Sequence, residues 1–149
     1  MLFRSDVATS FSVQAEAQGV AIGVETAVLP PNTHIQGDAG RLDQVLSNLV
    51  VNALRHTPKD GRITLSAKLV DDGVQIQVTD TGEGISEEDL PFVFERFWRG
   101  DRARTHSGGA GGGLGLAIVK QMVVAHNGRI TATSIPHKAT TFTLTFPLA

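Results

Sequence analysis

The pattern of apolar positions divides the chain into alternating helices and strands. From Ala39 to His56 the residues Leu42, Val45, Leu46, Leu49, Val50 and Ala53 recur at helical spacing, and Pro58 with Gly61 stops the run. This predicts an amphipathic helix. Asp6 to Gln18 forms an earlier one closed by Gly19, followed by a short alternating strand over Val20 to Glu25. Pro30-Pro31-Asn32 interrupts the chain before an extended piece near His34 to Gly37. Ile63, Leu65, Ala67 and Leu69 alternate with polar neighbours, as do Val74, Ile76 and Val78 after Asp71-Asp72-Gly73, which predicts a β-hairpin. Leu114 to His126 is apolar on most faces and reads as a buried helix; Arg129 to Ser134 and Thr140 to Phe146 read as a closing pair of strands. Helices fall only between strand pairs. The expected class is therefore α+β, an α/β sandwich in which a mixed sheet carries its helices on one face, and not a doubly wound sheet.

Composition narrows the chemistry more than the fold. The 149 residues fit one domain, 1–149, with 41% hydrophobic and 19% charged residues. Cysteine is absent, which excludes disulfides, thiolate metal sites and a cysteine nucleophile. A net charge of −2 gives no general attraction to nucleic acid or anionic membrane. The richest apolar stretch, Leu114 to Ala125, is broken by Lys120 and Gln121, so no membrane span or direct membrane contact is expected, and Met-Leu-Phe-Arg-Ser lacks the core of a secretory signal. Six of the 16 glycines lie between Gly108 and Gly115.

Three places carry candidate chemistry. On the long helix, Asn48, Asn52 and Arg55 fall within an arc of roughly 60° bordering the apolar stripe, with Arg41 beside them and His56 at the edge. Asparagine is a poor helix former, so two of them one turn apart in mid-helix cost stability without local return. Their amide oxygens suit Mg²⁺, which takes one or two protein ligands together with phosphate oxygens and water. After the second hairpin strand comes Asp80-Thr81-Gly82-Glu83-Gly84-Ile85. An ionised Asp only accepts hydrogen bonds, so it fits the exocyclic amine of adenine and repels the O6 of guanine, while the glycines let backbone approach a flat ring. The glycine run Gly108 to Gly115 fits neither a P-loop nor a G-x-G-x-x-G register, and it offers free N–H groups at a helix N-terminus. Between these places, Phe92-Val93-Phe94-Glu95-Arg96-Phe97-Trp98-Arg99 with Arg102 and Arg104 reads as an aromatic anchor for a cationic lid over phosphate.

Taken in order, Asp38-x-x-Arg41-Leu42-x-Gln44-Val45-Leu46-x-Asn48-Leu49-x-x-Asn52-Ala53-x-Arg55-His56-Thr57, Asp80-x-Gly82-x-Gly84, Phe92-x-Phe94-Glu95-Arg96-Phe97 and Gly111-x-Gly113-Leu114-Gly115-Leu116 resemble the N, G1, F and G2 boxes of the catalytic ATP-binding domain of two-component sensor histidine kinases. The resemblance covers nearly the whole chain. It implies the Bergerat ATP-binding fold, with about five strands, three helices and a lid near 97–113. It implies ATP and Mg²⁺ as cofactors, with Asn52 on the metal and Asn48 on the metal or phosphates in a catalytic position. Arg55 would meet a phosphate and His56 the nucleoside. Asp80 would hold the adenine amine, with Gly82, Gly84 and Ile85 along the base and ribose edge. Arg96 and the catalytic Arg99 would serve the phosphates, as would Gly111, Gly113, Leu114, Gly115 and Leu116 at the lid and helix start. Thr141 would lie near the adenine.

The same resemblance implies donation of the γ-phosphoryl group to a histidine on a dimerisation and phosphoacceptor domain of the same kinase, then to a response regulator. The parent would be a cytoplasm-facing, membrane-attached homodimer, the isolated piece a monomer. None of the five histidines is followed by Asp or Glu, unlike the family's phosphoacceptor, so the chain reads as a catalytic fragment without its substrate helix. Relatives of this fold that hydrolyse ATP have glutamate where Asn48 stands, and an amide takes no proton from water, so slow hydrolysis is expected. The rival readings are a serine kinase of the anti-sigma-factor type and an ATP-sensing interaction module without catalysis. One departure from the family lies in Pro136-His137-Lys138-Ala139, where glycines usually precede the last strand's Thr-x-Phe.

Overall fold

The computed structural model describes residues 5–26, 30, 33–71, 73–95 and 115–148. Its strands are β1 (Ala21–Thr26), β2 (Arg62–Val70), β3 (Gly73–Asp80), β4 (Arg129–Ile135) and β5 (Ala139–Phe146); its α-helices are α1 (Ser5–Gln18), α2 (Ala39–His56) and α3 (Gly115–Ala125). A short 3-10 turn, Leu90–Phe92, follows β3. The sheet runs β1-β2-β3-β5-β4. Only the β1–β2 pair is parallel, so the sheet is mixed as expected.

Strand alternation sorts the residues into two faces. Ile63, Leu65, Ala67, Val74, Ile76, Val78, Phe142, Leu144 and Phe146 are buried on the helix side. Against them lie Leu42, Val45, Leu46, Leu49, Val50, Ala53 and Leu54, the apolar stripe of α2. Each fully buried Val or Leu there contributes about 1.5–3 kcal/mol. The opposite face is polar. Gln77 Nε2 donates to Thr143 Oγ1 at 3.1 Å, and the hydroxyls of Thr79 and Thr141 lie 3.1 Å apart.

Both ends of α2 have local reasons. Asp38 is its N-cap, accepting from the Arg41 N–H at 3.1 Å, and at the other end Thr57 Oγ1 donates to the Ala53 carbonyl at 2.7 Å before Pro58. His126, just past α3, joins the start of α2 to the end of α3. Its Nδ1 donates to the Met122 carbonyl at 2.7 Å, and its Nε2 accepts from the Asp38 N–H at 3.1 Å. Gly37 is a glycine because an added Cβ would lie 2.3 Å from the His126 ring.

Two expectations change in detail. The extended piece near His34 to Gly37 is a single bridge, Ile35 to Leu148. The helix at Leu114 to His126 is not buried on most faces. Among its described residues only Leu116, Val119 and Val123 are buried, whereas Val124 is 57% exposed. The helix packs one side onto α2 and β4, and an apolar run without a polar stripe does not mark which side that is.

Candidate functional site

The site grows from the end of β3. Asp80 is the last residue of that strand and pairs with Ile63 on β2 and Thr140 on β5, which in turn pairs with Ser134 on β4. Directly opposed residues share a face. A row Ile63, Asp80, Thr140, Ser134 therefore crosses four strands on the helix side of the sheet. Asp80 is 3% exposed, and its Oδ1 accepts from the Gly82 N–H at 2.8 Å. Burial pushes the Asp80 carboxyl above the usual carboxylate range; the Gly82 hydrogen bond and nearby His56 pull it back, while Glu83 adds to the rise. With Oδ1 committed, Oδ2 remains to meet a donor. A buried carboxylate with a spare acceptor suits an amine rather than a second acceptor.

The turn after Asp80 is held close on two sides. A Cβ on Gly82 would lie 2.4 Å from the carbonyl oxygen of His56 and 2.7 Å from Asp80 Oδ1, so the turn rests backbone to backbone on the end of α2. Gly84 has φ of +74°, and its Cβ would lie 2.6 Å from the Ile135 carbonyl. The β4–β5 hairpin completes the floor. Ser134 Oγ accepts from the Ile85 N–H at 2.7 Å, and the Glu83 carbonyl accepts from the His137 N–H at 2.6 Å. His137 has φ of +65°, so a histidine takes the left-handed conformation where glycine is usual in the family, and the turn is still made.

Asp80, Gly82, Gly84, Ile85 and His56 are thus brought together. Asn52 stands one turn before His56 on α2 and Asn48 one turn further back, both half-buried. No described residue hydrogen-bonds either carboxamide. Arg55 is exposed beside them. Among the described residues no three His, Asp or Glu side chains converge as a metal site. A hard cation at the two carboxamides would therefore bring phosphate or water oxygens with it, the usual habit of Mg²⁺.

Thr141 is not brought to this group. Its side chain lies on the polar face beside Thr79, with the sheet between it and Asp80. The neighbour of Asp80 is Thr140, which is buried and whose hydroxyl lies 3.2 Å from Ser134 Oγ. Strand alternation held the signal: Thr140, Phe142, Leu144 and Phe146 share one parity, and Phe142 belongs to the core. Leu116 is a core side chain, and Gly115 has open space where a Cβ would stand. Arg96, Arg99, Gly111, Gly113 and Leu114, with the lid near 97–113, lie outside the described residues.

A mixed sheet with helices on one face, carrying an amide-bearing helix beside a buried Asp and two crowded glycines, defines the Bergerat ATP-binding fold. Residues 37–149 match the family described as histidine kinase-, DNA gyrase B-, and HSP90-like ATPase, and the chain belongs to it. Curated relatives include the sensor-like histidine kinase SenX3 of Mycobacterium tuberculosis (strain ATCC 25618 / H37Rv), 44% identical over 79% of this chain and 28% of its own length. The sensor histidine kinase WalK of Bacillus subtilis (strain 168) is 45% identical over 76% of this chain and 19% of its own. The chain thus spans under a third of the length of each of these two relatives. Among solved structures, full-length ShkA in complex with AMPPNP superposes with a TM-score of 0.82 and 32% identity, over 97% of this chain and 29% of that one. The mycobacterial sensor histidine kinase MprB gives a TM-score of 0.76 and 26% identity, over 95% of this chain and 91% of that one. Among the described residues no helix is long and apolar enough to cross a membrane.

Proposed function

We propose that this chain is the ATP-binding catalytic domain, 1–149, of a cytoplasm-facing sensor histidine kinase. It binds ATP with Mg²⁺ and donates the γ-phosphoryl group to a histidine on the dimerisation and phosphoacceptor domain of the same kinase, from which a response regulator receives it. The observation that carries this reading is Asp80, a buried acceptor with one free oxygen, set against the end of the helix that bears Asn48 and Asn52. The AMPPNP held by ShkA, similar over 97% of this chain, supports a nucleotide ligand.

In this reading Asp80 accepts from the adenine amine, and Gly82 and Gly84 leave room for the ring. Thr140 flanks Asp80 and takes the place expected of Thr141. His56 lies toward the nucleoside and Arg55 meets a phosphate. Asn48 and Asn52 would hold Mg²⁺, which neutralises phosphate charge when bound. Arg99, with the backbone of Gly111, Gly113 and Gly115, serves the γ-phosphate from the lid. A histidine nitrogen of the acceptor domain attacks the γ-phosphorus in line, the bond to the β-phosphate oxygen breaks, and ADP leaves. Positioning and charge neutralisation supply most of the catalysis. Asn48 cannot act as a base toward water, so the phosphoryl group waits for the histidine.

The test is to incubate the chain with γ-labelled ATP, Mg²⁺ and the separately produced acceptor domain of its parent kinase. Acid-labile, base-stable label on that domain is expected. Label on a serine instead, or ATP binding with no transfer, would overturn the assignment in favour of a serine kinase or an ATP-sensing module.

A further inference from the structure

Glu83 has no part in the mechanism above, yet it occupies the junction between the two halves of the site. Its backbone is fixed from one side, since its carbonyl accepts from the His137 N–H at 2.6 Å and the next residue, Gly84, is pressed on the Ile135 carbonyl. Its side chain reaches the other side. Glu83 Oε1 lies 3.3 Å from Nδ1 of His56, the last residue of α2, and both side chains are partly exposed. Gly82, immediately before it, touches the His56 carbonyl, so turn and helix end meet through backbone at one point and through this side-chain pair at the next.

The chemistry of the pair fixes the imidazole. An ionised carboxylate only accepts, so Nδ1 must carry the proton in this bond, the reverse of the tautomer a solvated histidine prefers. In the neutral ring Nε2 is then an acceptor, and it has no hydrogen-bond partner among the described residues. An acceptor nitrogen suits a hydroxyl or amine of a nucleoside and repels a phosphate oxygen. Around His56 the acidic neighbours are Glu83 and Asp80 from the turn, with Arg55 preceding it on the helix.

Resting on the reading of this site as an ATP site, we propose that Glu83 is a positioning residue: its carboxylate holds His56 as the Nδ1–H tautomer and ties the end of α2 to the Asp80 turn, so that His56 offers the nucleoside an acceptor.

Three variants of the full 149-residue chain test it, Glu83→Ala, Glu83→Gln and His56→Ala, together with the Ala pair. Nitrogen-15 NMR reads the His56 tautomer, calorimetry reads ATP affinity with Mg²⁺, and thermal melting checks the fold. The expected results are Nδ1–H in the wild type, return to Nε2–H in Glu83→Ala, and a rise in Kd of about 2- to 10-fold, the worth of one hydrogen bond. Glu83→Gln, which keeps an acceptor, should retain both tautomer and affinity. In the His56→Ala background Glu83→Ala should cost less than it does in the wild type, because part of its effect runs through the ring. An unchanged tautomer in Glu83→Ala, an unchanged Kd, or fully additive losses in the pair would overturn the proposal while leaving the ATP site standing. Absence of ATP binding in the wild type would overturn the proposed function and this inference with it.

Discussion

Replacing Asp80 by Asn separates what the residue does for the ligand from what it costs the fold. The two side chains have nearly the same shape, and the amide oxygen can still accept from the Gly82 N–H, 2.8 Å from Oδ1 in the native chain. What changes is the other terminal atom, where an acceptor becomes an NH₂ donor. It would then face the adenine amine, donor against donor. A hydrogen bond to a charged group contributes about 1.5–3 kcal/mol, so ATP affinity should fall by about 10- to 150-fold. GTP, whose O6 the native carboxylate repels, should lose no affinity. Stability should move the other way. Burial raises the Asp80 carboxyl above its ordinary value, so its contribution to folding is fully present below the usual carboxylate range and is lost as pH rises through the elevated native value. Above that elevated value the nucleotide-free chain carries a charge in an unfavourable place, and the neutral amide relieves it. Melting curves of the free variant should match the wild type in acid and rise above it as pH climbs through the elevated Asp80 value. Calorimetry showing equal ATP affinity in the two proteins, or a variant whose melting temperature falls below the wild type as pH rises, would refute the reasoning.

Other substitutions probe the rest of the site and its supports. Gly82→Ala places a Cβ 2.4 Å from the His56 carbonyl, and overpacking of this kind costs about 1–3 kcal/mol, readable by urea denaturation together with loss of ATP binding. Thr140→Val should weaken ATP binding in calorimetry, whereas Thr141→Val, on the far face of the sheet, should leave it unchanged; the reverse order would show that the register argument is wrong. His126→Leu removes the bonds to Met122 and Asp38 together, and at about 0.5–1.5 kcal/mol for each it should cost about 1–3 kcal/mol in urea denaturation.

The fold was legible wherever one face of an element is apolar and the other polar. The stripe of α2 and the alternation of β2, β3 and β5 state both the element and its orientation. The helix α3 is apolar without a polar side, so its existence could be read but not the exposure of Val124. Within the candidate site, Asp80 and its glycines could be singled out from the sequence because they fall in one turn, and the structure places them side by side. Thr141 was misjudged by one position for the opposite reason: four threonines stand in β5, and only the pairing of Asp80 with Thr140 across strands decides which one faces the site. The bond between Glu83 and His56 spans 27 positions and left no local trace.

The row Ile63, Asp80, Thr140, Ser134 has a consequence for folding as well as for binding. Its members come from four strands and from positions as far apart as 63 and 140, and β5 lies between β3 and β4 although it is the last strand in sequence. No early hairpin and no amino-terminal half can assemble the base pocket. Closing that row requires long-range pairing, the slow part of sheet formation. Nucleotide would therefore recognise only chains whose last strand has inserted. At a hundred times its Kd it would add about 2.7 kcal/mol to the stability of the native state, making ATP a selective ligand for the finished fold.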